Sequence, residues 1–322
     1  MAISHYLKDI GRGKDGTRSL NRAQATDLLG LVLDGMASDL EVGAFCIAMR
    51  IKGETPEEMA GFLDAIHQRL PRLAVPGRPL VVLPSYNGAR KLPLLTPLLA
   101  LLLARQGLSV LVHGSATEER RACSADVLAH LGVVPQQVLQ TPAPGSVAFA
   151  PTALLLPGLE RLLQVRRVLG LRNSAHSLVK LLDPLAPAGA HSIVVGSYTH
   201  PEYAQSMAAT CALTGACALL LRGTEGEPVA DPRRTPQMDA YVHGQHQRVQ
   251  DAQAGPLAAL PQLPTAIDAA STAAWIRSVL DGAQPVPASI ALQVEHILRI
   301  AGQMSTEPAH DAHRLPTPPA PH

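Results

Sequence analysis

The sequence predicts an α/β protein, with an N-terminal helical lobe and a larger α/β domain built on a mainly parallel central sheet. Two observations carry this prediction. Apolar side chains recur at helical spacing in residues 1–72, and from residue 79 short apolar runs alternate with longer helical patterns. Such alternation lays parallel strands side by side beneath crossover helices. Size and composition allow it: 322 residues, 47% hydrophobic and 16% charged, can bury a large core and a smaller lobe.

Element by element, Thr26–Met36 and Leu40–Ile51 read as helices. The sharpest start is Thr55-Pro56-Glu57-Glu58, with Thr55 as N-cap, Pro56 in the first turn and Glu58 closing a capping box. Met59, Phe62, Leu63 and Ile66 then repeat at helical spacing. An apolar face on so short a lobe needs a partner, either the main domain or a second subunit. Leu73–Arg78 is the connector to a domain expected over residues 79–304. Leu80–Leu83 and Ser109–Val112 are expected strands; Thr96–Gln106 and Ser124–Leu131 are expected helices. Val147–Leu156 and Ser192–Val195 read as buried strands, and a helix at Ala204–Thr214 precedes a strand at Ala216–Leu221. Gln250–Pro264 reads as a loose excursion, and Ser271–Leu280 and Ile290–Gln303 as closing helices. Ser305–His322, with five prolines and three histidines, is expected to be a disordered tail. Parallel sheets bind ligands beyond the carboxyl ends of their strands, so loops at Pro84–Lys91, His113–Arg121 and Arg222–Glu227 are expected to face one cleft.

The net charge of +1 hides an asymmetry. Residues 65–182 carry thirteen Lys/Arg and four acids, a net +9, against −8 for the rest of the chain. A basic stretch of this kind points to a polyanionic partner; the alternative is that folding scatters the charges over opposite faces. Aromatic content is 3%, which disfavours binding by stacking bases on aromatic platforms and leaves charge to do the work. Cys46, Cys123, Cys211 and Cys217 form no CxxC pair and sit among Ala, Leu and Val, which reads as buried reduced thiols and not as a zinc site. No basic-then-apolar leader opens the chain. The longest uncharged apolar run, Leu92–Ala104, contains Pro93 and Pro97 and is shorter than the roughly 18–20 residues of a membrane span. A cytoplasmic protein without membrane contact is expected.

Four segments occur in a telling order: Ala48–Glu58 (AMRIKGETPEE), Val110–Gly114 (VLVHG), Ser124–Gly132 (SADVLAHLG) and Gly170–Leu185 (GLRNSAHSLVKLLDPL). The first, second and fourth resemble the "MRxKGETxEE", "KHGN" and "LGxRTxFNLLGPL" stretches of the anthranilate phosphoribosyltransferase family (glycosyltransferase family 3), and the third resembles the helix after its "KHGN" loop. The resemblance covers about residues 1–240. It implies a nucleoside phosphorylase/phosphoribosyltransferase-like fold and an ancestral chemistry that uses phosphoribosyl diphosphate and magnesium. That chemistry needs a glycine-rich loop whose amides approach the diphosphate, and carboxylates for the metal.

At these points the sequence departs from the family. Its "GTGGD" loop reads Pro84-Ser85-Tyr86-Asn87-Gly88 here. Proline removes an amide donor, Tyr86 and Asn87 add side chains where backbone must come close, and Gly88 replaces the carboxylate. In "KHGN", Val112 and Ser115 stand for the lysine and asparagine. The acidic "HGxDGLDE" segment aligns with Arg222–Val229, so its paired metal carboxylates fall on Pro228 and Val229. Glu225 and Glu227 remain as weak metal-ligand candidates. The ancestral substrate-site positions are therefore Ser85, Asn87, Gly88, Thr96, His113, Gly114 and Arg172. Pro84–Lys91, Leu221–Pro228 and Ile10–Lys14 resemble the YbiB-type branch of the family, described as DNA-binding. That resemblance implies a homodimer without sequence preference, bound to DNA, with RNA as a second candidate, no cofactor and no catalytic residue.

The phosphate-contact candidates are Arg12, Lys14, Arg90, Lys91, Arg120, Arg121, Arg166, Arg167, Arg172, Lys180 and Arg222. Each has a plainer alternative. Gly11–Lys14 reads equally as a solvated loop. Arg120 and Arg121 follow Glu118 and Glu119 and can pair locally. Arg172 is a phosphate contact or a remnant of the diphosphate site. Tyr86 is a candidate base platform, and His176 and His191 read as structural. No recognition helix, zinc finger or RNA-recognition motif is visible, so base readout is not expected. The competing function is a divergent phosphoribosyltransferase using Glu225 and Glu227 for magnesium; a third is a protein-binding scaffold acting through the helical lobe. A dimer is expected through that lobe.

Overall fold

The N-terminal lobe holds α1 (Ser4–Ile10), α2 (Arg22–Leu33), α3 (Asp39–Lys52) and α4 (Pro56–His67). Capping boxes start three of them, formed by Asn21 with Gln24, Ser38 with Glu41 and Thr55 with Glu58. Glu58 is fully buried, and beyond its cap it accepts the Leu20 N–H at 2.9 Å and the Lys52 ammonium at 2.6 Å. The computed structural model describes residues 2–13, 16–116, 121–255 and 260–306. Lys14, Arg120 and residues 307–322 of the expected tail lie outside the described residues.

The main domain is a seven-stranded sheet in the order β3-β2-β1-β4-β5-β6-β7. Strands β1 (Leu80–Ser85), β2 (Ser109–Gly114), β3 (Val147–Pro151), β4 (Ile193–Tyr198) and β5 (Ala218–Arg222) run parallel. Strands β6 (Met238–Val242) and β7 (Gln245–Gln250) extend the sheet antiparallel. Helices α5 (Thr96–Arg105), α6 (Ser124–His130), α7 (Thr152–Leu155), α8 (Pro157–Leu169), α9 (Ala175–Leu178), α10 (Pro201–Thr214), α11 (Ala269–Leu280) and α12 (Ala288–Thr306) cover its two faces.

Strand periodicity divides the core. Leu80, Val82, Leu111 and Leu220 face one side, where they join Leu28, Phe45, Phe62 and Ile66 of the lobe in a continuous apolar cluster. Val81, Leu83, Val110 and Val112 face the other side, against α5, α6, α11 and α12. The lobe thus buries its apolar face on the sheet domain, which answers one half of the partner question.

Three local expectations change. The run Val147–Leu156 divides into β3 and α7, because Pro151 lacks a ladder donor and Pro157 then opens α8. The β6–β7 hairpin was not expected; it turns on His243 (φ 47°) and Gly244 (φ 79°), the left-handed pair that a two-residue hairpin turn requires. Helix α12 continues to Thr306, past the expected start of the tail. Cys46, Cys211 and Cys217 are buried free thiols, whereas Cys123 is partly exposed and its thiol donates to Asp126. Among the described residues no helix is long and apolar enough to cross a membrane.

Candidate functional site

Strand order reverses between β1 and β4, and a crevice forms at such a reversal beyond the strands' carboxyl ends. The loops after β1 and β5 meet there through two carboxylates. Glu227 is 1% exposed. Its Oε1 accepts the N–H of Asn87 at 2.6 Å and of Gly88 at 2.9 Å, and its Oε2 accepts the hydroxyls of Ser85 at 2.5 Å and Thr96 at 3.2 Å. Glu225 accepts the next run of amides: Arg90 at 2.8 Å, Lys91 at 2.9 and 3.1 Å, and Leu92 at 3.4 Å. Successive backbone N–H groups in a loop make an anion-binding nest, and both nests here hold the chain's own carboxylates. The approach is close enough to demand glycine at position 226, where φ is +86° and a Cβ would lie 1.9 Å from Asn87 Nδ2.

The residues present do not fit a diphosphate with magnesium. The amides that would meet the diphosphate are bonded to Glu225 and Glu227, and the carboxylate oxygens face N–H and O–H donors, the wrong polarity for a cation. This corrects the expectation that Glu225 and Glu227 are free to ligate a metal. Among the described residues no group of three His, Cys, Asp or Glu side chains is placed to hold one.

Beside this network, a cleft of about 610 Å³ opens between the helical lobe and the sheet domain. Arg50, Arg166, Arg172 and Lys180 line it, together with Glu54 and Glu202. Lys180 Nζ donates to the carbonyls of Ser197 at 2.9 Å and Gly226 at 3.1 Å. Burial pushes its ammonium down to about 8, with Glu227 opposing the shift. Arg172 donates to Asn87 Oδ1 at 2.8 Å, and Arg50 donates to the Arg172 carbonyl at 3.4 Å. Ser174 donates to Glu54 at 2.5 Å, tying the lobe's "GET" segment to the cleft wall. Burial and then Arg172 pull His176 down to about 3, so its ring is neutral near pH 7. The cleft therefore has four cations and two carboxylates on its walls, and two of its cations also brace the β1 and β5 loops.

The remaining candidates divide by place. Arg90, Lys91 and Arg222 are exposed on the β1 and β5 loops. Arg121 donates to the Asn87 carbonyl at 3.0 Å and Arg167 to the Ala116 carbonyl at 3.1 Å, so both stand on the same edge and hold loops. Arg12 sits between α1 and α2 and is not among the cleft-lining residues. Ser85, Asn87, Gly88 and Thr96 belong to the carboxylate network and not to an open substrate site. His113 is completely buried, and burial lowers it to about 3. Its Nδ1 bonds Tyr86 Oη at 2.7 Å, and that hydroxyl also meets Thr152 at 2.8 Å. Tyr86 is 5% exposed, which removes it as a base platform: an aromatic beside two polar partners in the core satisfies its hydroxyl there. At Gly114 a Cβ would lie 2.1 Å from the Ser85 carbonyl, so that glycine now serves strand packing. Sequence reasoning missed Arg50, although it lies inside the quoted "AMRIKGETPEE" segment, and it missed the inward role of Glu225 and Glu227.

One further surface stands out. On α3, Leu40 is 84% and Ile51 80% exposed, and Ala44 and Ile47 complete the stripe between them. Positions i, i+4, i+7 and i+11 share one helical face, and a contiguous exposed apolar face marks an interaction site.

Comparison with known proteins fixes the class. Residues 4–69 match the helical bundle domain of the glycosyl transferase family. Over 319 residues the chain is 39% identical to the uncharacterized protein YbiB of Escherichia coli (strain K12), spanning 95% of this chain and 96% of that protein. It is 31% identical over 282 residues to the anthranilate phosphoribosyltransferase of Myxococcus xanthus, covering 83% of this chain and 80% of the enzyme. Identity to the Anaeromyxobacter dehalogenans enzyme is 34% over 202 residues, 61% of this chain and 58% of that one. The crystal structure of the Thermus thermophilus anthranilate phosphoribosyltransferase shares the fold, with a TM-score of 0.72 at 23% identity over 94% of this chain and 89% of that one. The chain belongs to the anthranilate phosphoribosyltransferase-like family of glycosyltransferases.

Proposed function

We propose that this protein binds nucleic acid, DNA first with RNA as a second candidate, with little sequence preference, as a catalytically degenerate phosphoribosyltransferase-like homodimer in the cytoplasm. The observation that carries the reading is the arrangement of charge at one edge of the sheet. Arg90, Lys91, Arg121, Arg166, Arg167, Arg172, Lys180 and Arg222 belong to the loops and helix ends on that edge, while Glu225 and Glu227 beside them are turned onto backbone amides. Cations at such a rim neutralise backbone phosphates and release counterions. The α3 stripe supports a second copy as its occupant, since apolar side chains left in water at this spacing gain by burial against a matching face.

Glu substitutions at Arg166 and Arg167 test the reading. DNA and RNA affinity fall together by about tenfold or more, as expected for two lost phosphate contacts with reversed charge. Unchanged binding in a folded double variant contradicts it. The enzymatic alternative has family membership behind it, yet its diphosphate nests are filled from within. Calorimetry with phosphoribosyl diphosphate and magnesium is accordingly expected to give no heat at millimolar ligand, and saturable heat would favour the enzyme.

A further inference from the structure

We infer that the β5 loop is a tethered anion: Glu225 and Glu227 occupy the two amide nests of the β1 loop as an intramolecular substitute for a phosphoryl ligand, and they are what keeps free phosphate and diphosphate out. Residue by residue, the nests are still competent to hold an anion. Five backbone N–H groups and two hydroxyls converge on two carboxylates, and every polar atom of Glu227's side chain is satisfied. The β1 loop keeps most of its donors: Pro84 removes one, but Asn87, Gly88, Arg90, Lys91 and Leu92 supply theirs.

The tether is held under tension and from several sides. Glu225 adopts φ 55°, in the left-handed region that side chains other than glycine and asparagine rarely enter. Such strain persists where surrounding contacts over-determine it. Here the contacts are the Asn87 side chain on the Glu225 carbonyl, and Lys180 and Ser197 on the Gly226 carbonyl, at 2.9, 3.1 and 2.7 Å. A competitor on the same chain acts at an effective concentration of about millimolar or higher, so dissolved anions lose to it. The exclusion is thus an active feature of the β5 loop and not a defect of the β1 loop.

This inference rests on the reading of the protein as catalytically degenerate, but its test uses no nucleic acid and no ribose, so the two can fail separately. Pyrophosphate is titrated by calorimetry into the wild-type protein and into the Glu225→Ala/Glu227→Ala variant, with orthophosphate in parallel and circular dichroism to confirm folding. The wild type is expected to give no saturable binding up to about 10 mM, and the variant to saturate below about 1 mM, a gain of at least tenfold from removing the tethered competitor. Tighter binding of pyrophosphate than orthophosphate is the expected order, because two adjacent nests are reopened. Equal pyrophosphate binding by both proteins overturns the inference, and so does a folded variant that binds neither anion. If the variant does not fold alone, pyrophosphate in the refolding buffer is expected to restore its native circular dichroism; failure to rescue overturns the inference equally.

Discussion

Replacing Glu227 with alanine strips the acceptor from four donors at once. The Asn87 and Gly88 amides and the Ser85 and Thr96 hydroxyls all point at this one carboxylate, and Ser85, Asn87 and Thr96 are themselves buried. A buried donor left without a partner costs about 1–3 kcal/mol. Water entering the space left by the side chain recovers part of that, which brings the loss to about 3–5 kcal/mol, the usual range for breaking a buried charged network. At roughly 2–4 °C per kcal/mol for domains of this size, the melting temperature falls by about 10 °C. Glutamine is expected to recover part of the loss, because its Oε1 keeps the two amides and its Nε2 can donate to the Ser85 and Thr96 hydroxyls, which accept as well as donate. Differential scanning fluorimetry on wild type, Glu227→Ala and Glu227→Gln decides the matter. A melting temperature within about 2 °C of wild type for both variants refutes the claim that this carboxylate fastens the β5 loop to the β1 loop.

Other outcomes follow from the same geometry. Lys180 is held near 8 by burial, so its charge is complete below that pH and lost above it; nucleic-acid affinity weakens between pH 7 and 9 in the wild type, and a Lys180→Gln variant shows a flat profile over that range. If the two profiles are parallel, Lys180 contributes no charge to binding. His113 and His176 drop from an ordinary 6.5 to about 3 on folding. The unfolded chain therefore takes up protons below pH 6.5 that the folded chain refuses, and stability falls as pH descends toward 3 by about 1.4 kcal/mol per unit for each ring; urea midpoints that stay constant from pH 6.5 to 5 contradict this. Glutamate at Ile47, in the exposed stripe of α3, is expected to convert a dimer to a monomer in light scattering, and a wild-type protein that is already monomeric rules out the interface.

Legibility of this molecule from sequence followed physical locality. Capping boxes and helical spacing are local, so Thr55–Glu58 and the three longer helices of the lobe were readable, though not the short α1 (Ser4–Ile10), as were the five parallel strands, whose apolar runs are buried on both faces. Strand β7 was not, because Gln245, His246, Gln247 and Arg248 are exposed on a sheet edge and carry no apolar alternation; the His243-Gly244 turn was the one usable signal. At the site, the departure from the family's glycine loop was visible in Pro84–Gly88, and so was the surplus of basic residues. The fate of Glu225 and Glu227 was invisible, since their partners lie about 135 residues away in the chain and only the closing of the sheet brings them together. Tyr86 misled for the same reason: its neighbours His113 and Thr152 arrive from β2 and from the start of α7.

The central claim is that cationic side chains on one edge of the sheet hold nucleic-acid phosphates without reading bases. Fluorescence anisotropy with random single- and double-stranded DNA, titrated at several salt concentrations from about 50 to 200 mM, tests it most directly. Each phosphate neutralised on duplex DNA contributes about 0.9 to the slope of log affinity against log salt. Engagement of half of the eight rim cations gives a slope of about −3.6, with little difference between unrelated sequences. Affinity that stays flat across that salt range, or the absence of binding at the lowest salt, contradicts the account.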